Sequence, residues 1–109
     1  MAQILKTLEQ ANPAATTLTD FYTVPAATTT VVSSIVICNQ ASTDATFRIS
    51  VAVAGAVNSA KQYIYYDTTI YGNDTFIATI GGSLAATDVI RIYASSATLS
   101  ISAFGAENT

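Results

Sequence analysis

The sequence holds no histidine and no tryptophan, one cysteine, one methionine and two prolines, with four Lys+Arg against seven Asp+Glu. Each shortage excludes something. Without histidine the usual general base at neutral pH is missing, so Ser-His and Cys-His nucleophile pairs and histidine metal sites are out of reach. Cys38 stands alone, so no intrachain disulfide can form. Lys6, Arg48, Lys61 and Arg91 are scattered, and the formal net charge is -3. That balance argues against nucleic acid as a partner, because neutralising phosphates takes clustered basic residues. Long apolar runs are missing too. The most apolar stretch, Val31 to Cys38, is interrupted by Ser33 and Ser34 and falls far short of the ~20 residues a membrane-spanning helix needs. Met1 to Gln10 contains a single lysine and no apolar run of signal-peptide length, so the expectation is a chain that is not exported.

What is present is apolar mass in a small chain. Half of the 109 residues are hydrophobic and 10% are charged, against ~25% charged in an ordinary soluble domain. This is the reverse of a disordered composition, and the length suits one core.

The dominant pattern is period two. Thr28 to Gln40 is dense in β-branched residues, which favour strands over helices. In Thr46 to Val53, Phe47, Ile49, Val51 and Val53 point one way and Arg48, Ser50 and Ala52 the other. The short polar link Gln40 to Asp44 reads as the turn of an antiparallel hairpin between these two strands. Further strands are expected at Thr17 to Val24, Lys61 to Tyr66, Thr75 to Ile80, Asp88 to Ala94 and Thr98 to Phe104. The first of these lies at an edge because Pro25 cannot donate to a ladder. Gly81-Gly82 is read as a break, and Ser83 to Thr87 as one helical turn. Seven or eight short strands at regular spacing predict an all-β fold: a single antiparallel β-sandwich of immunoglobulin-like or jelly-roll type over residues 12–109. Residues 1–11 form an N-terminal arm or edge strand, set off by Asn12-Pro13.

Chemistry-bearing residues are few. Asp20, Asp44, Asp67, Asp74 and Asp88 fall at strand ends or turns, where aspartate bonds the local backbone. A calcium site from Asp67 and Asp74 has no loop signature behind it. Gly81-Gly82 precedes neither a lysine nor a helix pattern and is no phosphate cradle. Asn73-Asp74-Thr75 spells a glycosylation sequon within ordinary turn chemistry. Cys38 reads as a buried thiol in an apolar strand. The sequence therefore predicts no enzyme, no cofactor and no metal centre.

Surface chemistry says more. Tyr63, Tyr65, Tyr66 and Tyr71 lie close together, with alternation placing Tyr63 and Tyr65 on one face and Tyr66 on the other. They serve either cross-strand packing or a partner contact, a sugar platform included. So few charges leave sheet edges poorly protected, which points to a subunit that covers them by assembly. The arm, with Ile4, Leu5 and Leu8, is expected to add a strand to a neighbouring chain.

The run Phe21-Tyr-Thr-Val-Pro-Ala-Ala-Thr-Thr-Thr-Val-Val-Ser-Ser-Ile-Val-Ile-Cys-Asn39 resembles small virion structural proteins of tailed bacteriophages, including phages of aquatic bacteria and cyanobacteria. Ala45 to Ile49, Tyr63 to Asp67, Asn73 to Thr75, Ala85 to Val89 and Leu99 to Gly105 are similar to that group too, so the likeness covers nearly the whole chain. It implies a virion location, assembly in the host cytoplasm and no catalytic residues. A head-decoration (cement) protein of this kind would be a homo-oligomer, a trimer by preference, seated on the major capsid protein. A tail, baseplate or fibre component that binds the host, and a carbohydrate-binding module, are the alternatives.

With Phe47 in the core, Phe47→Ala should cost ~3–5 kcal/mol in denaturant melts. A loss below about 1 kcal/mol would instead mark the ring as a surface group.

Overall fold

Alternating β-branched segments form strands wherever the pattern is clean. In the computed structural model, which describes residues 2–109, eight strands are found: β1 (Gln3–Ala11), β2 (Thr19–Thr23), β3 (Thr29–Asn39), β4 (Ala45–Ala52), β5 (Tyr63–Ile70), β6 (Thr75–Leu84), β7 (Val89–Ala94) and β8 (Leu99–Asn108). They build two four-stranded antiparallel sheets, ordered β1-β8-β3-β6 (sheet A) and β2-β7-β4-β5 (sheet B). The fold is an all-β sandwich. No helix among the described residues is long and apolar enough to cross a membrane.

The core is the set of inward rows. Val32, Ile35 and Ile37 of β3 and Leu99, Ile101 and Ala103 of β8 face Phe47 and Ile49 of β4 and Ile90 and Ile92 of β7, all essentially without solvent contact. Burying each large aliphatic side chain contributes ~1.5–3 kcal/mol, so these rows supply most of the driving force. Asn39 is the polar exception. Its Nδ2 donates to the Thr43 carbonyl at 2.9 Å, and its Oδ1 accepts from Ala41 N at 3.1 Å and Thr98 Oγ1 at 3.1 Å. One buried amide thereby ties the end of β3 to the β7–β8 loop, with its own bonds satisfied as burial demands.

Several expectations are corrected. β3 and β4 are not a hairpin: they lie in different sheets, and the Gln40–Asp44 link crosses between them. Among consecutive strands β4 and β5 pair, and every other connection changes sheet. Gly81-Gly82 does not end β6, which runs on to Leu84. No helical turn forms at Ser83 to Thr87. Short 3₁₀ turns occur instead at Val53–Gly55 and Ala60–Gln62, so Lys61 and Gln62 precede β5 rather than begin it. The first turn is held by tertiary contacts that no local pattern encodes: Asp88 Oδ1 accepts from Ala54 N at 2.9 Å, and Arg91 donates to the Gly55 and Ala56 carbonyls at 3.2 and 2.8 Å. Cys38 is half-buried and points out of sheet A beside Ser100, because the inward positions are Ile37 and Asn39. Gln3–Ala11 pairs with β8 of its own chain as an edge strand; Met1, the first residue of the expected arm, lies outside the described residues.

Sheet A changes phase at one level. Leu8 in β1 and Ser33 in β3 are bulged residues, and in β6 Ile80 and Gly81 span the interval that Ser33 spans in β3. A bulge bends its strand and swaps the face that later side chains present. Hence Thr30 and Val32 face inward before Ser33, and Ile35 and Ile37 face inward after it. Gly105 of β8 sits in the middle of this line. A Cβ there would overlap the Val31 carbonyl and crowd Leu8 Cδ1 at 3.1 Å.

Gly105→Ala should therefore cost ~2–3 kcal/mol, the upper range for overpacking. Gly81, at φ +62° with open space around it, should lose ~1–2 kcal/mol on change to alanine, from backbone strain alone. Urea melts of both variants measure the order, Gly105 above Gly81.

Candidate interaction surfaces

Outward positions of sheet B gather the charge. Arg48 of β4 sits opposite Tyr93 of β7. Its guanidinium carbon lies 4.4 Å from the Tyr93 ring centre and 4.3 Å from that of Tyr66. Its Nε and Nη2 donate to Asp67 Oδ1 and Oδ2 at 2.6 and 3.3 Å. The Asp67 hydrogen bond raises the Arg48 pKa still further above its ordinary value. One strand over, Arg91 Nε donates to Asp20 Oδ1 at 2.9 Å. Two rings and a carboxylate hold Arg48 in one pose, while Asp20 and the Gly55 and Ala56 carbonyls hold Arg91. Arg48, Tyr66 and Tyr93 thus form a preorganised patch of the residue types that dominate binding hot spots.

Bulges in β5 decide which tyrosines join it. Between Thr68 and Tyr65 two residues, Tyr66 and Asp67, oppose Arg48, and Asp67 takes φ +49°. A second irregularity at Ile64 puts Tyr65 opposite Ile49 and Tyr63 opposite Ser50. Strict alternation is thus overturned. Tyr65 packs on the core with Phe47 and Phe76, ring centres 6.0 and 5.6 Å away, while Tyr63 meets Tyr66 edge-on at 5.0 Å on the outer side. Tyr66 and Tyr71 are exposed. Asn58 Nδ2 donates to Tyr63 Oη at 3.0 Å, and Asn58, Ser59, Ala60, Tyr63 and Tyr66 line a shallow hollow of about 530 Å³.

Outward rows of sheet A are of a different kind. Leu5, Ala106, Val31 and Ser83 form one row, Thr7, Phe104, Ser34 and Thr79 the next, and Gln10, Ser102, Val36 and Ile77 a third. None of these carries a charge. Leu5 and Ile77 are 81% and 62% exposed, and Val31 and Phe104 each 38%. Leu5, Thr7, Val31, Ser33 and Phe104 border a groove of about 610 Å³, with Lys6 the one charged residue lining it. A wide uncharged β-face with protruding aliphatic and aromatic side chains has the chemistry of an interface core.

The chain matches no protein-family model and no curated protein.

Of the sequence-predicted contact residues, Ile4, Leu5, Tyr66 and Tyr71 are exposed, and Tyr63 is half-buried beside Tyr66. Leu8 belongs to the core, because it shares the inward parity of Ile4 and lies over Gly105, and Tyr65 belongs to the core through the β5 irregularity. Sequence reasoning missed Arg48, Tyr93, Val31, Ile77 and Phe104 as surface groups that act together. The outward direction of Arg48 and Tyr93 was legible, but their juxtaposition needs the β4–β7 register.

The carboxylates are employed in two ways. Asp74 Oδ1 accepts from Thr75 N at 2.8 Å and Asp88 Oδ2 from Ala85 N at 2.9 Å, which is the expected local turn chemistry, whereas Asp44 Oδ1 accepts from Gly72 N at 3.0 Å and so joins two loops distant in sequence. Asp20 and Asp67 instead lie within strands and pair with arginines, because the β2–β7 and β4–β5 registers bring those partners alongside. Among the described residues no three or more His, Cys, Asp or Glu converge as metal ligands.

At one end of the sandwich a polar clamp spans the sheets. Tyr22 Oη donates to Glu107 Oε2 at 2.5 Å and lies 2.9 Å from Thr30 Oγ1, and Lys6 Nζ donates to Glu107 Oε1 at 3.2 Å. The Tyr22 hydrogen bond holds the Glu107 carboxyl below its ordinary range, against the opposing effect of burial. Burial, then the Glu107 hydrogen bond, pushes the Tyr22 phenol up to about 12.

A depressed carboxyl stabilises the fold above its unfolded pKa of about 4.3, and that contribution fades as pH falls through the folded value. A raised phenol contributes fully below its unfolded value near 10 and loses its effect as pH rises through about 12. Thermal melts should thus show wild-type stability falling faster in acid than that of Glu107→Gln. Tyr22→Phe should cost ~1.5–3 kcal/mol at pH 7, the range for a hydrogen bond to a charged group.

Proposed function

We propose that this chain is a virion structural protein of a tailed bacteriophage, serving as a head-decoration (cement) subunit on the major capsid protein and having no catalytic role. The observation that carries this reading is the uncharged outer face of sheet A, where Leu5, Val31, Phe104 and Ile77 protrude without a cover. Such a face favours a permanent protein contact over a soluble life alone. The strand order β1-β8-β3-β6 over β2-β7-β4-β5 supports it by analogy: it is the order of a jelly roll, an architecture frequent in viral capsid and lectin domains. The resemblance around Phe21 to Asn39 points the same way. Thin charge on the subunit also suits a lattice whose contacts must hold whatever the ionic strength.

A second reading, a tail or baseplate adaptor that touches the host, rests on the Arg48–Tyr66–Tyr93 patch of sheet B. It fits a protein epitope better than a sugar, because Arg48 already lies over the Tyr66 and Tyr93 rings on which a pyranose would stack.

Immunogold labelling of intact virions tests the assignment. Label on the head, with particles lacking the protein rupturing at lower temperature, is the expected outcome. Label confined to the tail would move the protein to the second reading, and unlabelled particles would refute both.

A further inference from the structure

Sheet A has two free edges, β1 and β6. β6 is ten residues long and carries no charge and no proline, so its outer backbone groups offer an unprotected ladder. Beside it, between the two sheets, lies a cavity of about 240 Å³ that reaches the surface between β5 and β6. Ile35, Ile49, Ile64, Ile80, Leu84 and Ile90 form most of its wall, with Ser83 the one polar residue lining it. Its walls offer water almost no hydrogen-bonding partner. It is also smaller than the roughly 300–1,000 Å³ of small-molecule sites, yet ample for an aliphatic side chain.

The other free edge presents such a side chain. Ile4 of β1 is 52% exposed although it lies in the row Ile4, Glu107, Thr30, Leu84, on the inward face of sheet A. Leu84, at the far end of that row, lines the cavity. Polarity matches as well. The three antiparallel pairings that separate β1 from β6 make these two strands run in opposite directions. A second copy rotated about an axis along the strands therefore brings its β1 antiparallel to β6, level with it, and with Ile4 facing the cavity.

We propose that copies of this chain join head to tail through sheet A: β1 of one copy pairs with the free edge of β6 on the next and seats Ile4 in the cavity. The contact is heterologous, so it closes into a ring when the rotation permits. Within each chain β1 stays on its own β8; what is added is a partner on its outer edge. The inference deepens the assembly reading above and rests on it for self-association alone.

Purified full-length protein provides the test. Sedimentation velocity should show a concentration-dependent oligomer. Ile4→Asp, which places a charge at the socket and, within the monomer, opposite Glu107, should weaken association at least tenfold. Ile4→Ser, which adds no charge opposite Glu107, should weaken it too while leaving the melting temperature of the monomer nearly unchanged. In a Cys38→Ser background, Leu5→Cys combined with Ser83→Cys should give disulfide-linked multimers on mild oxidation. These two exposed positions end one row of the sheet, and three strand spacings keep them roughly 14 Å apart within a chain, too far for an internal bridge. A protein that stays monomeric at high micromolar concentration, an oligomer indifferent to Ile4→Asp, or a cysteine pair that fails to link copies would each overturn the proposal. All three readouts use purified protein, so they are independent of whether virions carry the label.

Discussion

Close approach of β8 to β3 at Gly105 is the constraint on which the rest of sheet A depends. The Val31 carbonyl occupies the space a Cβ would need, and Leu8 packs over the same spot. Around this contact the Leu8 and Ser33 bulges and the Gly81 kink line up across the sheet. The sheet bends there, and every strand that carries an extra residue exchanges its inward and outward faces. A flat sheet with the same sequence would turn Ile35 and Ile37 toward solvent and Ser34 and Val36 into the core. The bend therefore decides where the apolar area goes, and at ~25 cal/mol per Å² that outweighs any single hydrogen bond in the molecule.

From that choice follows the division of labour between the two outer surfaces. Sheet B keeps the paired charges, Arg48 with Asp67 and Arg91 with Asp20. Both arginines have their charge matched by a carboxylate, so neither stands ready as an anion site. The outward rows of sheet A are left with hydroxyl, amide, aliphatic and aromatic groups, while Lys6, Glu9 and Glu107 lie off those rows. An asymmetric domain of this kind presents one face of paired charges and another of uncharged groups.

The clamp of Tyr22, Thr30, Glu107 and Lys6 serves a different end. It closes the sandwich where the β1, β2, β3 and β8 segments meet and where aliphatic packing thins out. A carboxylate that accepts from both a phenol and an ammonium is satisfied there without leaving a buried charge unpaired. Asn39 does the equivalent at the opposite end of β3. Polar residues at both ends fix how the sheets stack, while the core between them stays apolar.

Much of the fold was legible from residue pattern. The strands around Phe47, Ile92 and Ile101 were readable because alternation with β-branched residues survives there unbroken. The single sandwich followed from length and apolar content. Pattern failed where a bulge intervenes, at Tyr65, since one inserted residue reverses the period that reading relies on, whereas Leu8 follows the inward parity of Ile4 and lies on the opposite face of β1 from Leu5. It failed again at the Gln40–Asp44 link, because a short polar turn is compatible with a hairpin and with a crossing between sheets alike. Composition by itself determined that this protein is a β-domain without histidine chemistry. Only the tertiary structure decided which strands are neighbours, and so which side chains meet. Arg48 finds Tyr66 and Tyr93, and Ile4 shares a row with Leu84, through pairings between segments far apart in the chain, and local sequence carries no energy term for those.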